Sequence, residues 1–273
     1  MIIHSSISAI QRVKVPQAAD WALSHGINSL TTTQVAEILG TTANQVSPRL
    51  ASAIKRGEWI APARGLWIPV PPEYRNWGGP PAVEFIDALM RYKGVEYYLG
   101  WLSAAAIHGS AHHAPQVTQI ATPQSIRNRK IGRVRLRFYA RSNMGKLPTV
   151  SRTVRYNTIR VSTPEVTALD LCSDIELAGG ISNLATVIAG LAEESSSSID
   201  RIASLSGYYS PAATRRLGWL LEHYTDVGKL DDLAAAASRS APTPSLLDSL
   251  SPMRGSLDKR WMIRINTEVE IED

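Results

Sequence analysis

The stretch TTTQVAEILGTTANQVSPRLASAIKRGEWIAPARGLWI, residues 31–68, decides how the front of this chain is read. Thr31 and Gln34 stand three apart, a capping-box spacing in which two side chains satisfy the orphan amides at a helix start. Val35, Ala36, Ile38 and Leu39 follow at helical spacing, and Gly40 closes the segment. Thr42 and Gln45 repeat the capping spacing and open a second helix that ends before Gly57. On it Val46, Leu50 and Ile54 fall four apart and are expected to face inward. Two short capped helices around a turn with glycine are the sequence form of a helix-turn-helix. After Gly57, Trp59 and Ile60, then Leu66, Trp67 and Ile68, read as two short strands around Ala63, Arg64 and Gly65, with Gly65 free to take positive φ. Upstream, Val15, Ala18, Ala19, Ala22 and Leu23 form a further helical pattern, with Pro16 in its first turn and Gly26 past its end. The expectation is a winged helix-turn-helix over residues 1–72.

The second helix, from Thr42 to Arg56, is the candidate for reading DNA. Asn44 and Gln45 carry amides that pair with adenine, and Arg49 a guanidinium that pairs with guanine. Ser52 and Arg56 lie on the same outward faces. Thr42 stands at the start of the helix, Lys55 suits a phosphate, and Arg64 sits at the wing tip. Pro48 interrupts this helix. Either the helix is kinked there, or it begins at Ser47 with Pro48 in the first turn, which would leave Asn44 and Gln45 in the turn.

The remainder, residues 73–273, reads as a larger mixed domain. Pro69, Pro71, Pro72, Gly78, Gly79, Pro80 and Pro81 suggest an extended linker. Helical patterns follow from about Ala82 to Arg91 and Tyr97 to His108. Strand-like stretches run over Val117–Ala121, Arg133–Tyr139, Val150–Tyr156 and Ile159–Val161. Helices near residues 164–175, 184–193, 199–205, 212–223 and 230–237 precede a last strand, Arg260–Asn266. Strands clustered before helices argue α+β over a doubly wound sheet.

Composition narrows the class. With 44% hydrophobic and 19% charged residues, the 273-residue chain has enough apolar material for a sizeable core. It has no apolar run long enough to span a bilayer and no secretory leader pattern. Its lone cysteine, Cys172, sits among Leu169, Leu171 and Ile175 and reads as a buried apolar residue. A cytoplasmic location is expected. The net charge of +5 is unevenly placed: residues 73–165 hold fourteen basic and five acidic side chains, residues 166–273 nine and sixteen. A basic front fits an anionic partner, double-stranded DNA first among them.

Between Arg127 and Arg160 there is no Asp or Glu. Within it Arg133, Arg135 and Arg137 alternate with Val134, Leu136 and Phe138, which puts three like charges on one strand face. Their counter-charge is either nucleic-acid phosphate or the acidic rear of the same chain. His108, His112 and His113 invite a metal reading, but no cysteine or carboxylate completes a shell, so neither a metal nor a cofactor is expected. Gly255, Ser256 and Asp258 suggest a nucleotidyltransferase Gly-Ser motif without its paired carboxylates, and Glu268, Glu270 and Glu272 read as a solvated tail. With no phosphate loop or nucleophile elbow either, no enzyme is expected. A ligand-responsive winged-helix transcription factor is the alternative function; it would need a deep apolar pocket.

Taken in order, several segments resemble one family. They are residues 31–40, Arg56 with Gly57, Arg64 to Trp67, Tyr97 to Gly109, Val161 to Leu171, Arg215 to Glu222 and Lys259 to Asn266. The chain resembles the AbiEi antitoxins of abortive-infection, type IV toxin–antitoxin pairs. The resemblance implies a winged helix that represses its own operon at promoter inverted repeats. It also implies a C-terminal domain that counters a nucleotidyltransferase-like toxin encoded alongside, with no stable complex required. By position, Thr42 to Arg56 would be the recognition helix, Arg64 the wing contact, and Arg133–Arg137 part of the antitoxin domain.

Overall fold

The computed structural model describes residues 12–111, 115–155, 157–194, 198–239 and 242–271. The chain is mixed α and β, as the order of its patterns implies. A first group of elements is α1 (Ala18–Ser24), β1 (Leu30–Thr31), α2 (Thr32–Leu39), α3 (Ala43–Lys55), β2 (Trp59–Ala63), β3 (Leu66–Pro69) and α4 (Ile86–Lys93). Then come β4 (Tyr98–Leu99), α5 (Trp101–Ile107), β5 (Thr118–Thr122), β6 (Arg129–Ile131), β7 (Val134–Ala140), β8 (Thr149–Val154) and β9 (Asn157–Ser162). The rear holds α6 (Pro164–Ser173), α7 (Ile181–Glu194), α8 (Ile199–Leu205), α9 (Pro211–Tyr224), α10 (Asp231–Arg239), β10 (Ser245–Leu246), β11 (Ser256–Asp258) and β12 (Ile263–Ile265). Three sheets result, with strand orders β1-β3-β2, β6-β7-β5-β4-β9-β8 and β10-β12-β11.

By contacts the chain divides into two units. The first comprises residues up to Glu96 together with Arg127–Arg137 and Arg152–Ile159. Its front is a small core of Ala18, Ala19, Ala22, Leu30, Val35, Ile38, Leu39, Val46, Leu50, Ala53, Trp59 and Trp67. Thr31 and Gln34 form the full capping box that starts α2, and Gly40 ends it in the left-handed conformation at φ 58°. β3 lies between β1 and β2, antiparallel to both, with Leu30 opposite Trp67 and Ile60 opposite Ile68. The segment from Pro69 to Pro81 is not an extended linker. It carries a 3-10 helix over Pro72–Trp77, and Val70, Pro71, Gly79 and Pro80 are buried. Arg75 fixes it by donating to the Val70 carbonyl at 3.2 Å and pairing with Asp20.

The second unit comprises Tyr97–Ile126, Phe138–Ser151 and the residues from Arg160 onward. Tyr98 and Leu99, expected to lie in a helix, instead form β4. It pairs antiparallel with β5 (Leu99 opposite Ile120) and parallel with β9 (Leu99 opposite Val161). Pairing on both sides outweighs local helical preference, and α5 begins only after Gly100. Helix α9 packs on α6, α7 and α10. In α9, Gly218 leaves room for the Trp261 ring, which a Cβ there would run into.

Candidate functional site

Helix α3 presents two faces. Val46, Leu50 and Ala53 are fully buried. Ile54, expected inward, is 38% exposed, because Ala53 takes the inward position instead. Thr42, Asn44, Gln45, Arg49, Ser52, Lys55 and Arg56 are all exposed. At 3.6 residues per turn they fall into two rows: Gln45, Arg49, Ser52 and Arg56 in one, Asn44, Pro48 and Lys55 in the other. The helix runs from Ala43 through Pro48 to Lys55, so it does not begin at Ser47, and Asn44 and Gln45 lie on the helix rather than in the turn. Pro48 is exposed and forfeits one backbone bond.

The second capping box is not formed. Thr42 occupies the N-cap position, but its side chain caps nothing. Gln45 instead accepts from the Thr41 hydroxyl at 2.5 Å and from Arg49 at 3.5 Å. Arg56 forms a two-pronged pair with Glu58, at 2.7 and 3.0 Å. Such an exposed pair is worth little, so a competing anion can displace it.

The β2–β3 turn is held at its backbone and free at its side chain. Gly65 takes φ 89°. The Arg64 carbonyl accepts from the Tyr92 hydroxyl at 3.0 Å, and the Gly65 carbonyl from the Thr32 amide at 3.0 Å. Trp67 Nε1 donates to Thr32 Oγ1 at 3.0 Å, tying the hairpin to the start of α2. Arg64 itself is exposed.

Arg133, Arg135 and Arg137 are exposed, while Leu136 and Phe138 are buried. Arg135 and Arg137 share one face of β7, and Arg133 precedes the strand in the turn after Gly132. Among the described residues none of the three takes part in an ion pair. Among the described residues, then, no internal counter-charge pairs with this strand.

The polar groups that sequence reasoning missed lie in the second unit. Asp170 is fully buried and accepts from the Tyr98 hydroxyl at 3.1 Å, the Tyr209 hydroxyl at 2.8 Å and the Arg141 guanidinium. Burial pushes its carboxyl up to about 6, against the pull of Arg141 and the two hydroxyls. Burial works against the charge of Arg141, but Asp170 more than restores it. Burial and the neighbouring carboxylate raise both tyrosines. The Arg141 guanidinium also lies 4.8 Å over the Tyr209 ring. A signal existed: Asp170 sits between Leu169 and Leu171 in a helix apolar on every side.

On α9, Arg215 and Arg216 are buried. Arg215 donates to the carbonyls of Ala237 (3.2 Å) and Thr243 (2.6 Å). Arg216 donates to those of Leu247 (2.6 Å), Leu246 (3.0 Å) and Cys172. Cys172 is buried as read, and burial pushes its thiol up to about 12.

Other nominated features resolve as structure. His108 ends α5 and contacts the Ser162 carbonyl at 2.8 Å; His112 and His113 lie outside the described residues. Among the described residues no group of three or more His, Cys, Asp or Glu could hold a metal. Asp258 accepts from the Trp261 amide at 3.0 Å, a turn contact. In the second unit a cavity of about 590 Å³ is lined by Ala192, Glu193, His223, Tyr224, Thr225, Asp226 and Val227. No helix among the described residues is long and apolar enough to cross a membrane.

Residues 98–223 match the family model of the AbiEi antitoxin C-terminal domain, from the family that the chain's motifs resemble. The fold is similar to that of the RV2827C protein from Mycobacterium tuberculosis. The TM-score is 0.66 at 14% identity, over 93% of this chain and 92% of that one. No curated protein matches the sequence.

Proposed function

We propose that the chain is an autoregulating antitoxin. Residues 1–72 act as a winged helix-turn-helix on promoter inverted repeats, and residues 73–273 counter a nucleotidyltransferase-like toxin encoded alongside. The observation that carries the DNA half is α3. Its apolar side is sealed into the core, while Gln45, Arg49 and Ser52 stand exposed, with the β2–β3 hairpin following directly. In this reading α3 enters the major groove, Arg49 and Gln45 meet base edges, and Lys55 and Arg64 meet phosphates. Asn44, Ser52, Thr42 and Arg56 border the same contact. The chain is then a binding protein working in the cytoplasm, with no reaction of its own.

Binding of the full chain to its native promoter and to a scrambled duplex tests this half. Preference for the promoter is expected, and Arg49→Ala should reduce the discrimination by about 1–3 kcal/mol. Equal affinity for both duplexes would reject it. For the toxin half, co-expression with the adjacent toxin gene should restore growth, and persistent arrest would count against it.

A further inference from the structure

We propose that the β6–β7 hairpin is a second, sequence-independent contact with the phosphate backbone of duplex DNA, beside the wing. The inference rests on the winged-helix reading and extends its footprint. Although residues 127–137 lie far along the chain, their contacts place them in the first unit. Arg129 donates from Nη1 to the Pro62 carbonyl at 2.8 Å, two residues from Arg64 at the hairpin tip. The Arg133 amide donates to the Trp77 carbonyl at 3.4 Å. Gly132 lies so close to Gly78 that a side chain there would strike its backbone. The hairpin is thus fixed to β2 and to the segment after β3.

Among the described residues its charge meets no ion-pair partner at Lys130, Arg135 or Arg137. Lys130 stands directly opposite Arg135 in the antiparallel register, and both are exposed. Like charges facing each other across a strand pair cost stability. Arg137 continues the row along β7, and the chain contains no Asp or Glu from residue 97 to residue 164. Charges on an edge strand often serve to prevent edge-to-edge pairing. That would explain Lys130 on β6, the end strand of its sheet, but not Arg135 and Arg137 on β7, one strand in. A row of unpaired cations on a rigid hairpin next to the wing suits a polyanion. In the winged-helix reading on which this rests, duplex DNA is the polyanion that α3 and the wing meet.

The test is a salt titration of the full chain, from about 50 to 200 mM, on the promoter duplex and a scrambled duplex. If the three side chains meet three phosphates, Lys130→Ala with Arg135→Ala and Arg137→Ala should flatten the slope of log affinity against log salt by about 2.7. The wild-type advantage then shrinks about 40-fold over that range. The loss should be equal on both duplexes, because phosphates carry no sequence. Arg137→Ala alone should flatten the slope by about 0.9, and the charge-keeping Arg135→Lys with Arg137→Lys should restore it. A triple variant with the wild-type slope on both duplexes overturns the proposal while leaving the winged-helix reading standing. Wild-type chain that binds neither DNA duplex overturns both.

Discussion

The arginines of the β6–β7 hairpin and those of α9 use one side chain in opposite ways. Arg135 and Arg137 stand exposed without an ion pair, whereas Arg215 and Arg216 are sealed inside the second unit. The buried pair works as a rigid fork of donors. Arg216 alone satisfies the carbonyls of Cys172, Leu246 and Leu247, tying α9 to the end of α6 and to the segment around β10. Burial makes the charge of both less favourable, lowering their pKa, and their hydrogen bonds offset that cost. In the hairpin the described residues leave the charge without an ion pair, and it is this charge that the proposed phosphate contact would use. Burial and partners, not residue type, separate a structural arginine from a binding one.

The largest expected effect breaks the buried side of this contrast. Arg216→Met should destabilise the second unit by about 3 kcal/mol or more in urea denaturation, because three buried carbonyls lose their donor. Arg216→Lys should recover little of it, since an ammonium lacks the planar fork. Full recovery by lysine would show that charge, not geometry, is what counts there.

Next in size is Asp170, which sharpens the contrast because it is a fully buried carboxylate paired with the largely buried guanidinium of Arg141. Its folded pKa is raised from 3.8 to about 6. The folded state therefore holds a proton that the unfolded state has released. The associated stability is fully present below pH 4 and is lost as pH rises through 6. Its size is about 2–3 kcal/mol. Asp170→Asn should remove that slope from denaturation curves taken between pH 4 and 6; an unchanged slope would assign it to other groups.

The smallest effect is expected on the exposed side. Arg135→Ala with Arg137→Ala should move stability by no more than about 0.5 kcal/mol, with relief of the repulsion on Lys130 acting in the stabilising direction. A loss above 2 kcal/mol (roughly the range of core substitutions) would mean that these arginines support the fold after all.

Much of the front of the chain was legible. The Thr31–Gln34 box is a local device whose two members lie within one helical turn, so spacing alone reveals it. The alternation of Arg135, Leu136, Arg137 and Phe138 is equally local. The same reasoning erred at Thr42, where the spacing is right but the side chain makes no cap, and at Ile54, where Ala53 took the inward position. It missed the polar core altogether. Arginine is rarely buried, so no local pattern marks Arg215 and Arg216 as core. The groups that receive Arg216 lie 30 to 44 residues away, beyond any local pattern.

By itself the sequence determined the periodic and short-range features: the capped α2, the hairpin with Gly65, and the basic tract without carboxylates. These depend on contacts within a few residues and on charge that can be counted. Only the tertiary structure decided which cations are spent and which are free. It also decided that residues 127–137 return to the first unit, and that Asp170 is ringed by Tyr98, Tyr209 and Arg141. The physical reason is that desolvation and hydrogen-bond partners arise from segments brought together across the chain, and no local pattern encodes them.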